Sequence, residues 1–338
     1  MSLYAAIDLH STNSVLAVID ETDRPLRQRR LPNDLPAILG ELEPFRERVA
    51  GIAVESTYNW YWLVDGLMDH GYKVHLVNTA AVPQYAGLKY SGDESDARHL
   101  AHLLRLGILP EGYIYPRGDR EVRDLLRRRF QLVRMGVALM LSVQSAFARQ
   151  TGTCVSSMQV RRLTREDIVH TFPDLSARMA ILTHLQVWQS VQDQVGQIER
   201  WMTAARPRRG EQIALRSIPG VGPILGLTIA LETGDIARFA DPSHYASYCR
   251  MVKSERVSNG KTKGHGNRKA GNRYLAWAWV EAANYAVRFN PTIQRWHARK
   301  GRRCHKVIAI KAVGHKLARA GFFLMRDGGT FDASRAFG

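Results

Sequence analysis

The amino-acid sequence predicts an α/β domain at the front of the chain and a mainly helical remainder, and three observations carry that expectation. Short apolar runs separated by turn residues fill the first eighty positions and read as strands. Two stretches, 121–147 and 175–205, repeat apolar residues at three- and four-residue spacing and read as long helices. The charge also changes sign along the chain: residues 1–110 balance to −4, 111–210 to +7 and 211–338 to +14, within a total of +17. A chain of 338 residues is long enough for two or three cores, and these shifts divide it at 1–110, 111–208 and 209–338. Hydrophobic residues make up 45% of the chain, which excludes a disordered class.

Leu3 to Ile7 suits a buried strand that ends in the carboxylate of Asp8, Ser11-Thr12-Asn13 supplies turn chemistry, and Ser14 to Ile19 returns as its hairpin partner. Asp8 sits near the core of that hairpin. A carboxylate there either caps a strand end through backbone hydrogen bonds or meets a cation. Pro25 to Leu31 reads as a third strand, Asn33 or Asp34 caps a helix over 36–48, and Ala50 to Glu55 is a short buried strand ending in a second acid. A helix over 60–70 and a strand over 72–77 follow. Three strands able to pair antiparallel, then helix, strand, helix, strand, is a ribonuclease-H-like order. In it the first and fourth strands end side by side, bringing Asp8 and Glu55 together.

Residues 89–98 open a helical pattern continued by Leu100, Leu103 and Leu104, with Ser91 or Asp93 as its N-cap. Asp93 and Asp96 share a face at i,i+3. Acids in a first turn are ordinary macrodipole partners, but two on one face repel unless a cation is shared. Asp8, Glu55, Asp93 and Asp96 together fit oxygen ligation of one or two Mg²⁺ (or Mn²⁺). Glu94 faces away and serves as the control.

The helix over 121–147 carries Arg123, Arg127, Arg128, Arg129 and Arg134 on one flank, either a solvated face or a phosphate track; Arg127 and Arg128 are the candidate contacts. With 175–205 it suits a coiled-coil spacer, antiparallel or dimerising. Beyond a boundary at 206–210, Ile-Pro-Gly-Val-Gly-Pro leads into an apolar helix over 224–231. Gly220 and Gly222 there suit a helix-hairpin-helix element gripping nucleic-acid backbone, or a ligand-free turn. A short helix over 239–249 precedes the flexible, hydroxyl-bearing and basic loop 253–275, by composition a nucleic-acid contact loop or else a solvated surface loop, with Lys261, Lys263, Arg268 and Lys269 as its candidate contacts. A basic run over 300–306 leads to a helix over 307–323, and the tail past Gly328 is expected to be poorly ordered.

Cys154, Cys249 and Cys304 are too few and too scattered for a zinc cluster or a disulfide framework. With no charged-then-apolar leader before Leu3, no apolar run of about 18 residues and no lipidation motif or amphipathic anchor, a soluble intracellular protein is expected. Its basic back half calls for a polyanionic partner.

The motifs taken together resemble one family. Ile-Asp-Leu-His at Asp8, Val-Glu-Ser-Thr at Glu55, Asp-Glu-Ser-Asp-Ala at Asp93 and Asp96, Ser-Ile-Pro-Gly-Val-Gly-Pro, Ser-Asn-Gly-Lys and Arg-Lys-Ala-Gly-Asn-Arg-Tyr-Leu are similar in order to the DEDD transposases of one insertion-sequence family. These are bridge-RNA-guided recombinases akin to the Piv site-specific invertases. The resemblance implies a RuvC-like metal domain, a coiled-coil spacer and a C-terminal domain whose serine attacks DNA. That serine matches Ser258, although Val257 and Asn259 depart from the pattern and Ser254 lies near. It further implies donor and target DNA duplexes, a noncoding guide RNA, a homodimer assembling to a homotetramer with a composite active site, no membrane, and a bacterial cytoplasm beside the nucleoid. The competing readings are a metal-dependent resolvase using water, a sugar-kinase or actin-like ATPase whose second phosphate loop could only be the 327–330 tail, and a noncatalytic RNA-binding protein.

Overall fold

The computed structural model describes residues 1–82, 92–205, 210–253, 255–265 and 270–338. They form two compact units, Met1–Ile114 and Tyr115–Gly338. In the first, β1 (Leu3–Leu9), β2 (Asn13–Asp20) and β3 (Pro25–Pro32) are followed by α1 (Leu35–Leu42), β4 (Val49–Glu55), α2 (Tyr61–Asp69), β5 (Val74–Val77) and α3 (Asp93–Arg105). The sheet runs β3-β2-β1-β4-β5, antiparallel across β3-β2-β1 and parallel across β1-β4-β5. The expected helix over 36–48 stops at Leu42 and continues as a 3₁₀ turn, Glu43–Arg48. Pro44 is the reason, since it has no N–H to continue the α-helical ladder.

Side-chain parity assigns the two faces of this sheet. Leu3, Ala5, Ile7 and Leu9 pack on one side with Ile38 and Leu42 of α1 and with Leu63, Val64 and Leu67 of α2. On the other side Ala6 and Ala53 meet Leu100 and Ala101 of α3, and Val15 and Ala17 meet Ala97. Asp8 and Glu55 lie two residues past Ala6 and Ala53, so parity places both on the α3 face.

The second unit opens with two long helices, α4 (Arg117–Thr151) and α7 (Leu175–Ala205), joined through the short α5 (Ser157–Val160) and α6 (Arg165–Thr171). They pair antiparallel within the chain. Arg129 bridges to Glu199, Gly136 lies against Val191 and Gln192, and Ser142 meets His184. Met140, Val143 and Phe147 share a core with Ile181. α4 holds an 18-residue window of mean hydropathy 1.3, 28% buried, so among the described residues one helix is long and apolar enough by length and composition to cross a bilayer, which the sequence reading did not expect.

The remainder comprises α8 (Gly210–Leu215), α9 (Pro223–Thr233), α10 (Pro242–Tyr248), β6 (Glu255–Ser258), β7 (Lys261–His265), α11 (Arg273–Phe289), α12 (Pro291–Gly301), α13 (Lys306–Asp327) and α14 (Ala333–Phe337). Its core gathers Trp279, Tyr245, Leu275, Leu317 and Phe322. The tail, expected to be poorly ordered, is packed: Phe337 is buried edge-on against Trp296 with ring centroids 5.5 Å apart, and Lys316 Nζ donates to Ala336 O at 2.8 Å. Burial of the apolar ring of Phe337 offsets part of the chain entropy lost in ordering the tail.

The basic loop also differs from expectation. Residues 255–265 form an antiparallel hairpin, β6 with β7, closed by Asn259 and Gly260, both at positive φ (50° and 70°). That is the backbone an Asn-Gly dipeptide favours in a two-residue hairpin turn, a signal present in the sequence.

Candidate catalytic site

In the first unit the acids are brought together by strand ends and a helix start. Ile7 of β1 is in register with Val54 of β4, so Asp8 and Glu55 are the next residues along two adjacent parallel strands. The turn after β1 is fixed by Asn33 Nδ2 and Asn59 Nδ2, which donate to His10 O at 3.0 and 3.1 Å, while Ser14 Oγ donates to Asn33 Oδ1 at 2.6 Å. α3 is capped at Gly92 and not at Asp93, with Ser95 Oγ accepting from Gly92 N–H at 2.9 Å, and Ser91, the other expected cap, lies outside the described residues. Asp96 lies one turn before Leu100, on the stripe of α3 that packs on the sheet.

Asp8 is buried, at 4% exposure, with His10 Nε2 3.5 Å from its Oδ2. Glu55 shares a hydrogen bond with Asp8. Burial, that bond and the like charges of Asp8 and Asp96 push the Glu55 carboxyl up to about 8. The α3 backbone places Asp93 at the first helical position, but its side chain and that of Glu94 lie outside the described residues. Among the described residues no three His, Cys, Asp or Glu side chains form a ready-made metal cage. The chemistry of the donor set nevertheless fits a dication: a buried Asp8, a half-buried Glu55 holding its proton near neutral pH and an exposed Asp96 crowd like charges that a hard cation relieves.

The sign of this coupling is testable. A carboxyl whose folded pKa is raised contributes stability fully present below its ordinary value of 4.5 and lost as pH rises through about 8. Without divalent cation, the melting temperature should fall across that window, and Glu55→Gln should flatten the fall. At pH 8, Mg²⁺ at a hundred times its Kd should return about 2.7 kcal/mol to the wild type, and Glu55→Gln should lose most of that gain; scanning calorimetry reads all three.

In the second unit Ser258 is the last residue of β6, exposed, and paired across the turn with Lys261; Lys261 and Lys263 are exposed as well. Ser254, Arg268 and Lys269 lie outside the described residues. Arg128 is exposed and donates to Gln131 Oε1 at 2.9 Å. Arg127 is committed elsewhere: its Nε and Nη2 donate to Glu232 at 2.6 and 2.8 Å. Gly220, at φ +89°, faces α11 so closely that a Cβ would come 2.3 Å from Tyr285 Cβ, whereas Gly222 has open space.

Sequence reading missed Glu232. It is fully buried in α9, held by Arg127, by Arg123 Nε at 3.0 Å and by Asn272 Nδ2 at 2.7 Å. Burial pushes its carboxyl up, but the Arg127 bond and the charges of Arg123 and Arg127 outweigh that and hold it below the usual value. Asn272 also caps α11, accepting from Tyr274 and Leu275 N–H, and so ties the chain leaving the serine hairpin to α9 and α4. The signal was a lone acid in an apolar helix, with arginines four residues apart upstream to meet it.

Comparison with known proteins settles the affiliation. Residues 5–149 match a family profile described as a DEDD transposase of the IS110 type, and residues 213–298 match the profile "Transposase IS116/IS110/IS902 family". The chain belongs to this transposase family. Among its relatives is y4qE of Sinorhizobium fredii (strain NBRC 101917 / NGR234), which is named for a transposase, 27% identical over 242 residues. That alignment covers 70% of this chain and 57% of the relative. The first profile encloses Asp8, Glu55, Asp93 and Asp96; the second encloses Ser258.

Proposed function

We propose that this chain is a DNA transposase that cleaves and rejoins strands through a covalent serine–DNA intermediate. The carrying observation is the order of the two family domains, one enclosing the Asp8, Glu55 and Asp96 cluster and the other an exposed Ser258 on a basic hairpin. The first domain is read as RuvC-like, α4 and α7 as its coiled-coil spacer.

Asp8, Glu55, Asp93 and Asp96 would hold Mg²⁺ or Mn²⁺, which when bound offsets negative charge on the scissile phosphate and on the departing oxygen. Ser258 Oγ forms a bond to phosphorus as the bond from phosphorus to the 3′ oxygen breaks. The serine proton is released, and one is taken up at that oxygen. Attack by another strand's 3′ hydroxyl reverses the sequence and frees the serine, so one hard displacement becomes two easier ones. Lys261, Lys263, Arg128, Arg268, Lys269 and the backbone at Gly222 position phosphates. The partners are donor and target duplexes, a noncoding guide RNA that reads sequence by pairing, and further copies of the chain, dimer and then tetramer, in a bacterial cytoplasm at the nucleoid.

The test is Mg²⁺-dependent cleavage of DNA flanking the gene, with the co-purifying RNA present. Asp96→Asn should lower it by at least about a hundredfold and Glu94→Gln by less than about threefold. Equal effects of the two substitutions would remove α3 from the site.

A further inference from the structure

We propose that the cleft beside the Ile218–Pro223 turn is a stacking site for unpaired DNA bases, with Tyr285 and Phe289 as its platform. Naming DNA as the occupant rests on the transposase reading above.

The cleft is an open groove of about 640 Å³, a volume in the range that takes small organic ligands, and its walls include Arg129, Arg216, Trp277 and Glu281. Tyr285 and Phe289 stand one turn apart on α11, 40% and 61% exposed. Their planes lie within 1° of parallel with centroids 6.1 Å apart, so a base stacked on one ring is oriented to stack on the other. The Arg288 guanidinium stands 5.4 Å from the Phe289 centroid. Two large aromatic faces left in water are costly for a solvated surface.

Charge selects the occupant. Arg216 at the turn and Arg288 beside Phe289 are exposed cations at the cleft. Aromatic shelves flanked by arginines are how proteins grip single strands without reading sequence: every unpaired base offers a π face, and the cations follow the phosphates. A duplex keeps its base faces stacked inside and cannot use such a shelf. Glu281, the one carboxylate among the described lining residues, repels phosphate and accepts from a base N–H, which directs the base inward and the backbone toward Arg216.

The platform is independent of the catalytic cluster and can be measured without cleavage. Binding of a short fluorescein-labelled oligothymidylate and of a duplex of equal length to the full chain is followed by anisotropy in EDTA. Tyr285→Ala and Phe289→Ala should each weaken the oligothymidylate roughly 5- to 100-fold and leave the duplex within about twofold. Phe289→Trp should restore wild-type binding, which a folding defect would not allow.

Unchanged oligothymidylate binding, or an equal loss on the duplex, would overturn the proposal. So would a shift in mass by light scattering without a loss of affinity, which marks a contact between copies. Tighter binding of oligouridylate than of oligothymidylate reassigns the cleft to RNA and overturns the choice of DNA. If the wild type fails to cleave DNA while aromatic-dependent binding persists, the transposase reading fails and the platform stands; cleavage with no aromatic dependence is the reverse.

Discussion

Ser258→Ala is expected to abolish the covalent protein–DNA adduct and to lower strand exchange by at least about a thousandfold. The adduct is read on a denaturing gel after the full chain, Mg²⁺ and the co-purifying RNA meet a nicked duplex from the DNA flanking the gene. The effect is large because no neighbouring group replaces a nucleophile that forms the intermediate itself. Ser254→Ala is the matched comparison. An adduct that survives in Ser258→Ala and vanishes in Ser254→Ala would transfer the role; cleavage without any adduct would return the protein to the water-using resolvase reading. Since Ser258 is exposed at the end of a short hairpin, its removal should leave the melting temperature within about 2 °C.

The second large effect is structural. Glu232→Ala leaves the buried guanidinium of Arg123 and the half-buried one of Arg127 without their carboxylate, a loss of about 3–5 kcal/mol. For a unit of this size that lowers the melting temperature by roughly 6–20 °C. Replacing Glu232, Arg123 and Arg127 together with apolar residues of similar volume should recover most of it, because the penalty lies in the uncompensated charges. Calorimetry on the single and triple variants decides; a single variant that melts with the wild type shows that water already screens the pair. Asn272 loses its Glu232 partner too, so the serine hairpin is expected to lose its anchor before the unit melts.

Different physics made different parts of this molecule legible. Short continuous apolar runs wrote β1, β2 and β4 into the chain, and because β1 and β4 are parallel neighbours, parity alone put Asp8 and Glu55 on one face. The three- and four-residue period gave α7 its bounds and α4 its core, since a helix that buries one stripe must repeat it. The loop around Ser258 misled because lysines, serines and glycines suit a solvated segment as well as a hairpin, and only the Asn-Gly pair distinguishes them.

The sequence by itself determined the two family domains in order, the five-stranded sheet, the convergence of Asp8 with Glu55, and a basic back half suited to polyanions. These follow from local periodicity and charge, which a linear chain carries openly. Only the tertiary structure decided that α4 folds back on α7, that Arg127 serves Glu232, that Gly220 is pressed against Tyr285, and that Tyr285 and Phe289 stand in water with parallel faces. Each of those depends on residues dozens of positions apart or on which side of a helix remains uncovered. Composition cannot fix that, because the same arginine or aromatic ring is equally at home buried against a partner or open to a ligand until packing chooses.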